Sequence, residues 1–377
     1  MNKKLMVIFL VLLIRIIMGD TLNIRKNSVA KDNDLEQKNT LIHVLDSIKT
    51  KYGATAIELS ILTPQLHSPI NLYDGNMAKN STQLINNKTV FQVGSVTKPF
   101  VMLAILKLAE LKLIRLDDPI GKYLIHYPQW GGIKISQLIN HTSGIYDYSD
   151  SALWWARVYL FSNWSSDELL KIAYGKSYFK PSTGWHYSNT DYVILGLIIE
   201  QVAHQTLADF LNQNFIKNNA LNLQNTYYVP YEPSNKIKSK LAHGYTNFKM
   251  DMTQVNGSWM QAAGAMISNT NDLAIWYKFY IHQLYDKYAL LTQFVNIKDG
   301  APLDTFDNDG YGLAIFSTNT PYGVLFFTPG LTSGYTTLVG YLPDKGMSFS
   351  YILTVGFSHE NIHKYILEQI LPIISTI

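Results

Sequence analysis

Residues 94–100 are Gly-Ser-Val-Thr-Lys-Pro-Phe, and they connect a short β-branched stretch to a long apolar one. The residues before them, Val90 to Val93, predict a strand that ends at the glycine. From Val96 to Leu113 the apolar residues occur on several sides of a helix, which is typical of a helix buried in a core. The sequence therefore predicts a strand, a glycine turn and a buried helix, with Ser95 and Lys98 in the first turn of that helix.

Ser95 and Lys98 have the spacing of a serine nucleophile and its base. Residues i and i+3 lie on one face of a helix, so the Lys98 amine can reach the Ser95 hydroxyl. A serine needs a neighbouring base, and a lysine becomes one when burial and a helix N-terminus lower its pKa. Residues 28–31 and 177–180 repeat the Ser-x-x-Lys pattern, but neither opens an apolar helix. Context thus favours Ser95, and a serine that merely caps the helix is the alternative.

Two further segments could contribute to the same site. Residues 187–189 are Tyr-Ser-Asn; a tyrosine beside a buried lysine can transfer a proton, and an asparagine can donate to and accept from a substrate amide. Residues 245–247 repeat the Tyr-x-Asn pattern, and Tyr187 could instead be one buried aromatic among 25 tyrosines. Residues 328–331, Thr-Pro-Gly-Leu, follow an apolar strand and are the candidate for a strand that faces the serine.

Several short sequence segments, listed below in chain order, resemble those of the serine β-lactamase-related family of class C β-lactamases, DD-carboxypeptidases and related esterases. Together they extend over about residues 35–375, and the combination is far more specific than any one motif. The resemblance implies an α+β fold of the β-lactamase/DD-peptidase type, with an antiparallel sheet flanked by helices and a mostly helical inserted domain. The segments are Gly94-Ser95-Val96-Thr97-Lys98, Leu116-Asp117-Asp118-Pro119, His141-Thr142-Ser143-Gly144, Tyr187-Ser188-Asn189-Thr190, Gly264-Ala265-Met266-Ile267-Ser268 with Asp272-Leu273, and Tyr311-Gly312-Leu313.

The resemblance also implies a serine hydrolase that forms an acyl-enzyme on Ser95. Its substrate would carry a peptide, β-lactam or ester carbonyl. Lys98 would accept or relay the Ser95 proton, and Tyr187 would act in the acid–base steps. Asn189 would orient the substrate amide.

Residues 328–331 correspond to the family's third motif, after Ser95–Lys98 and Tyr187–Asn189, and they depart from the family pattern. The resemblance makes Thr328, Gly330 and Leu331 substrate-binding residues, with the backbone N–H groups of Ser95 and Leu331 as the oxyanion hole. The family usually has Lys or His, a small residue and Gly, whereas Thr328 and Pro329 precede the glycine here. A neutral threonine supplies no charge for a substrate carboxylate, which argues against efficient turnover of β-lactams or D-Ala-D-Ala peptides and favours an ester or a differently shaped peptide. The alternative is a catalytically weak or inactive penicillin-binding-like module.

The pattern of helices and strands divides the chain into two regions. Residues 35–114 and 301–377 predict an α/β sheet domain, and residues 115–300 predict a mostly helical domain. The elements expected in the sheet domain are helices at Leu35 to Tyr52, Val96 to Leu113 and Asn361 to Ile374, and strands at Ala54 to Thr63, Val90 to Val93, Tyr311 to Ser317, Tyr322 to Phe327, Tyr335 to Tyr341 and Met347 to Val355.

The N-terminus predicts export. Lys3 and Lys4 precede an apolar stretch, which is typical of a signal peptide over residues 1–19, with a polar leader over residues 20–34. A membrane anchor is the alternative, but Leu5 to Met18 would rise only about 21 Å against a hydrocarbon core of about 30 Å. We expect an exported protein, periplasmic or secreted, with no stable membrane span after signal removal.

Composition argues against several other functions. Among 377 residues the net charge is only +3 without a long basic run, so we expect no nucleic-acid partner. The absence of cysteine excludes disulfides and cysteine-based zinc sites. Residues 359–363 match His-Glu-x-x-His, but the following residues do not continue the zinc-protease pattern. We therefore expect a small-molecule or peptide substrate and no cofactor or metal, while the oligomeric state stays open.

Four aromatic or imidazole side chains have two possible roles. His141 could line the cleft, but a loop histidine bonded to the backbone is the interpretation we favour. Trp154, Trp155 and Trp164 could shape a pocket, although packing of a helix is favoured.

Overall fold

The computed structural model describes residues 36–151, 163–217, 220–287, 308–356 and 361–377. Its strands are β1 (Ala56–Leu62), β2 (Ile70–Gly75), β3 (Phe91–Gln92), β4 (Tyr227–Tyr228), β5 (Tyr245–Thr246), β6 (Met266–Ser268), β7 (Asn308–Gly312), β8 (Ile315–Thr320), β9 (Gly323–Leu331), β10 (Thr336–Leu342), β11 (Met347–Leu353) and β12 (Val355–Gly356). Seven of them form one antiparallel sheet in the order β2-β1-β11-β10-β9-β8-β7. The predicted α+β class, with a sheet built from both ends of the chain, is confirmed.

The described helices lie on the two faces of this sheet or in the helical part of the chain. They are α1 (36–52), α2 (Lys98–Glu110), α3 (Ile135–Ile139), α4 (Ser166–Ala173), α5 (Asn189–Ala203), α6 (Leu207–Leu211), α7 (Asn235–Lys238), α8 (Thr270–His282) and α9 (Ile362–Ile374). Apolar residues of α1 and α9 share one buried cluster with one face of the sheet. The opposite face contacts α8, where Ser348 and Ser350 of β11 donate hydrogen bonds to the carbonyl groups of Ala274 and Thr270.

Helix α2 lies in the main apolar core together with α5. Ten of its side chains, from Lys98 to Leu108, are buried, as its apolar pattern predicts. The strand that precedes it, β3, does not join the large sheet. It pairs with β6, which also pairs with β4, in a separate three-stranded sheet. The nucleophile candidate thus stands between the large sheet and the helical part of the chain.

The prediction of one continuous strand from Tyr311 to Ser317 is wrong. The chain reverses after Gly312, so that this stretch contributes to two antiparallel strands, β7 and β8. The turn consists of Leu313 and Ala314, whose φ angles are 55° and 61°. Such two-residue hairpin turns usually contain Gly or Asn, so the residues Leu313 and Ala314 do not indicate a turn.

Some sequence predictions fall on residues outside the described part of the chain. These are the signal peptide and leader, Trp154 and Trp155, and His359 and Glu360. Among the helices that are described, none combines the length and apolarity needed to cross a membrane.

Candidate active site

The structure brings Ser95, Lys98, Tyr187 and Asn189 together. Ser95 lies in the 3₁₀ turn that opens α2, and Nζ of Lys98 is 2.9 Å from its Oγ. The same Nζ donates to Oδ1 of Asn189 and to the carbonyl oxygen of Ala263, each at 2.9 Å. It also lies 4.7 Å from the centroid of the Tyr187 ring. Residues from distant parts of the chain therefore surround one buried amine.

The environment of Lys98 favours the uncharged amine. The residue is 1% exposed. Burial lowers its pKa to about 7, although the neighbouring carboxyl groups of Asp147 and Asp191 oppose this change. At neutral pH a large fraction of Lys98 therefore carries a free lone pair beside the Ser95 hydroxyl, which is the requirement for a general base.

Tyr187 is a neutral phenol in this environment. Burial raises its pKa above the ordinary value, and a hydrogen bond with the Ser95 side chain partly opposes the rise. Its ring packs against His141 at a centroid distance of 4.5 Å and against Phe316 at 6.4 Å. The hydroxyl is thus held beside Ser95 as a proton donor rather than as a phenolate.

A buried carboxylate fixes the orientation of Asn189. Oδ2 of Asp147 accepts hydrogen bonds from the backbone N and from Nδ2 of Asn189, at 3.0 and 3.1 Å. Because Nδ2 of Asn189 is bonded to Asp147, the other atom of the amide, Oδ1, faces Lys98. Asp147 was not predicted from the sequence, because nothing in local spacing links it to a residue 42 positions later.

Strand β9 passes directly beside the turn that holds Ser95. Gly94 has a φ of +54°, and a Cβ there would lie 2.7 Å from the backbone N of Leu331. A Cβ on Gly330 would lie 2.0 Å from the carbonyl oxygen of Val93. The two glycines therefore allow β9 to approach closely, and they place the Leu331 backbone against the Gly94–Ser95 segment.

Thr328 contributes no charge and little exposed surface. Its side chain is buried, with the residue 3% exposed. The hydroxyl donates to the carbonyl oxygen of Ala314 at 2.7 Å and lies 3.2 Å from the Tyr277 hydroxyl. At the position where the family usually has Lys or His, this chain has a neutral group that faces other parts of the protein.

His141 is buried behind Tyr187, and it contacts both a side chain and the backbone. Its Nδ1 is 2.9 Å from Oδ2 of Asp191 and 3.3 Å from the backbone N of Ser188. Asp191, like Asp147, was not identified from the sequence. Trp164 is 2% exposed and belongs to the apolar core, where it packs.

The described residues contain no group of three His, Cys, Asp or Glu side chains that could hold a metal ion. His363, from the His-Glu-x-x-His match, is buried, and its Nδ1 lies 2.6 Å from the Tyr351 hydroxyl. That histidine therefore has a structural partner in the sheet.

A cavity of about 600 Å³ lies next to this site but does not include its reactive side chains. Gly264 and Ala265, which line it, directly follow the residue whose carbonyl accepts from Lys98. The other lining residues include Gln92, His243, Asp251, Thr253 and Met260.

Comparison with known proteins gives the family. The model of the family described as Beta-lactamase matches residues 70–368. The chain belongs to the Beta-lactamase family. Similar proteins include "Penicillin-binding protein 4*" of Bacillus subtilis, 32% identical over 38% of this chain and 32% of that protein, and "Protein flp" of Staphylococcus aureus, 26% identical over 74% and 55%. The matches thus span between a third and about half of the length of these relatives.

Solved structures show the same fold at low sequence identity. D-amino acid amidase from Ochrobactrum anthropi SV3 has a TM-score of 0.77 and 20% identity, with 90% of this chain and 99% of that chain covered. D-alanine carboxypeptidase AmpC from Burkholderia cenocepacia has a TM-score of 0.71 and 19% identity, with 89% and 99% covered. The shared fold agrees with the family match over residues 70–368.

Proposed function

We propose that this Beta-lactamase family member is a serine hydrolase that forms an acyl-enzyme on Ser95. The observation that carries the proposal is the 2.9 Å contact between Oγ of Ser95 and Nζ of a buried Lys98 whose pKa is about 7. A lysine kept partly unprotonated at hydrogen-bonding distance from a serine is an activated nucleophile pair.

In the first step Oγ of Ser95 attacks the substrate carbonyl carbon while its proton passes to Nζ of Lys98. The negative charge that develops on the carbonyl oxygen is stabilised by the backbone N–H groups of Ser95 and Leu331. Tyr187 then gives its proton to the leaving amine or alcohol, and the carbonyl–leaving-group bond breaks. Lys98 returns a proton to Tyr187, and an ester on Ser95 remains.

In the second step water attacks the ester carbonyl of the acyl-enzyme. Its proton is taken up by the Lys98–Tyr187 pair, and Oγ of Ser95 recovers a proton as the acid product leaves. Asn189 orients the substrate amide while its Oδ1 holds Nζ of Lys98 in position. Each proton lost by one group is gained by another, so the cycle balances with these side chains and water alone.

For the substrate we propose an amide, peptide or ester without a carboxylate at the position that the third motif would contact. Thr328 supplies no positive charge there, and its hydroxyl is already bonded to Ala314. A β-lactam or D-Ala-D-Ala peptide would bring an uncompensated carboxylate into the site, which costs free energy. Amides are included because one structural neighbour is a D-amino acid amidase.

A weak or inactive penicillin-binding-like module is the second candidate. The observation that favours it is again the neutral third motif, Thr328 and Pro329, which would slow acylation by carboxylate-bearing substrates.

Two activity-based probes distinguish these candidates. Protein from residue 20 onward is treated with a fluorophosphonate and with a fluorescent penicillin, and Ser95→Ala serves as the matched control. We expect labelling by the fluorophosphonate, none in the control, and hydrolysis of p-nitrophenyl esters or amino-acid amides in preference to nitrocefin. Absence of any Ser95-dependent labelling would contradict the hydrolase proposal and support the inactive module.

A further inference from the structure

His141 and Asp191 form a fully buried pair next to the proposed site. Both side chains are 0% exposed, and Nδ1 of His141 is 2.9 Å from Oδ2 of Asp191. The other carboxyl oxygen, Oδ1, accepts a hydrogen bond from the Ser143 hydroxyl at 2.6 Å. The pair belongs to the loop after α3 and to the first turn of α5, so it joins the two segments that carry Asp147 and Asn189.

A second contact at the same nitrogen shows where the proton of the pair lies. The backbone N–H of Ser188 is directed at Nδ1 of His141 at 3.3 Å. An N–H group can donate only to a lone pair, so Nδ1 is an acceptor and the ring carries its proton on Nε2. An acceptor nitrogen bonds to a carboxyl oxygen only when that oxygen carries the proton. With Nδ1 as the acceptor, the hydrogen between the two residues belongs to Asp191.

The surroundings of Nε2 agree with an uncharged ring. In the described part of the chain this buried atom has no hydrogen-bond partner. A doubly protonated imidazolium would leave a charged N–H without an acceptor, which is much more costly than a neutral one. Burial also holds the pKa of His141 well below its ordinary value and raises that of Asp191 well above it.

We propose that His141 keeps Asp191 as a neutral carboxylic acid, so that Lys98 faces one ionised carboxylate, that of Asp147, instead of two. His141 and Asp191 are thus positioning residues that act through Lys98, and this role rests on the proposed function of Lys98 as a base. The groups around Lys98 are the Ser95 hydroxyl on α2, the Tyr187 and Tyr192 rings, the Asn189 amide, the Ala263 carbonyl, His141, Asp147 and Asp191.

The two acids differ in their hydrogen bonds. Asp147 accepts from the backbone and side chain of Asn189 and from the backbone and hydroxyl of Ser149, all of which favour a carboxylate. Asp191 has a hydroxyl donor on one oxygen and a lone pair of His141 facing the other. A second anion would raise the pKa of Lys98 and convert the base into an ammonium ion.

The protonation of the pair can be measured without activity. In the infrared spectrum of the whole protein at neutral pH we expect a carboxylic-acid C=O band that shifts in D₂O and is lost in Asp191→Asn. The ¹⁵N shifts of His141 should show Nδ1 unprotonated and Nε2 protonated. A band that Asp191→Asn leaves unchanged, or a protonated Nδ1, would overturn the proposal even if the hydrolase activity is real.

The effect on Lys98 is tested by a pair of variants. The pH dependence of fluorophosphonate labelling is compared in wild type, Asp147→Asn and Asp191→Asn, whatever their absolute rates. Removing the ionised Asp147 should move the midpoint of the acidic limb down by about one pH unit or more, because an anion that favoured the ammonium is gone. Removing a neutral Asp191 takes away no charge, so the midpoint should move by only a small fraction of the shift seen in Asp147→Asn. An equal downward shift in Asp191→Asn would overturn the proposal, whereas absence of labelling in the wild type would contradict the proposed function instead.

Discussion

Nζ of Lys98 lies 4.7 Å from the centroid of the Tyr187 ring, so the face of this ring contacts the amine while its hydroxyl hydrogen-bonds Ser95. An ammonium ion formed when Lys98 accepts the Ser95 proton would be stabilised by the electron-rich face of the ring. Tyr187 thus has two separable contributions, one from its hydroxyl and one from its ring.

Tyr187→Phe and Tyr187→Leu should separate these contributions. Phenylalanine keeps the ring and loses the proton donor, so we expect ester turnover to fall by about 10²–10⁴-fold without a change in the midpoint of the acidic limb. Leucine also removes the ring face, and the midpoint should then move to lower pH because the ammonium form is less stabilised. Tyr285→Phe, at an exposed position, is the control. Equal turnover in Tyr187→Phe and wild type would contradict a proton-transfer role.

The acylation rate should rise with pH through about 7. Below this value Lys98, whose pKa is lowered to about 7 by burial, is an ammonium ion and cannot accept the Ser95 proton. Above it the free amine is present and the rate reaches a plateau. Stopped-flow labelling from pH 5 to 9 measures this dependence. Lys98→Arg should lose labelling at every pH in the range, because a guanidinium stays protonated, whereas Lys107→Arg, at a half-exposed position near the C-terminal end of α2, should behave like wild type.

Local patterns in the sequence predict those parts of the site that lie close together in the chain. Ser95 and Lys98 are three residues apart on one helix, so their contact follows from helix geometry. The contacts of Asp147 with Asn189 and of Gly94 with Leu331 join distant segments, and no local pattern encodes them. Side-chain chemistry made Tyr187 and Asn189 candidates, and the family resemblance gave them roles and added the Leu331 backbone, but neither identified the carboxylates.

The fold, like the site, could be predicted where the local sequence pattern decides the structure. The buried helix α2 follows from its apolar composition, and its bounds lie close to those expected. Strand β2, Ile70–Gly75, was not predicted, because it is an edge strand with Asn71 and Asp74 in its sequence, residues that are more typical of turns.

Thr328→Val should affect stability more than activity. The substitution removes the hydroxyl that donates to Ala314, which leaves a buried carbonyl without that donor and costs about 1 kcal/mol of unfolding free energy. Urea denaturation and fluorophosphonate labelling measure the two effects. Thr183→Val is the matched control, because its hydroxyl also donates to a carbonyl, at 2.8 Å, but at an exposed position. A large loss of labelling at unchanged stability would instead show that Thr328 contacts the substrate.

Gly330→Ala should damage both the fold and the site. A Cβ at this position would lie 2.0 Å from the carbonyl oxygen of Val93 and 3.1 Å from Cγ2 of Val96, so β9 must move away from the Ser95 turn. Overpacking of this kind costs about 1–3 kcal/mol, and the displaced Leu331 N–H would no longer stabilise the oxyanion. Thermal unfolding and single-turnover ester hydrolysis are compared with Gly132→Ala, where a Cβ meets nothing within 4 Å. If the folded fraction of Gly330→Ala acylates at the wild-type rate, the Leu331 backbone is not part of the oxyanion hole.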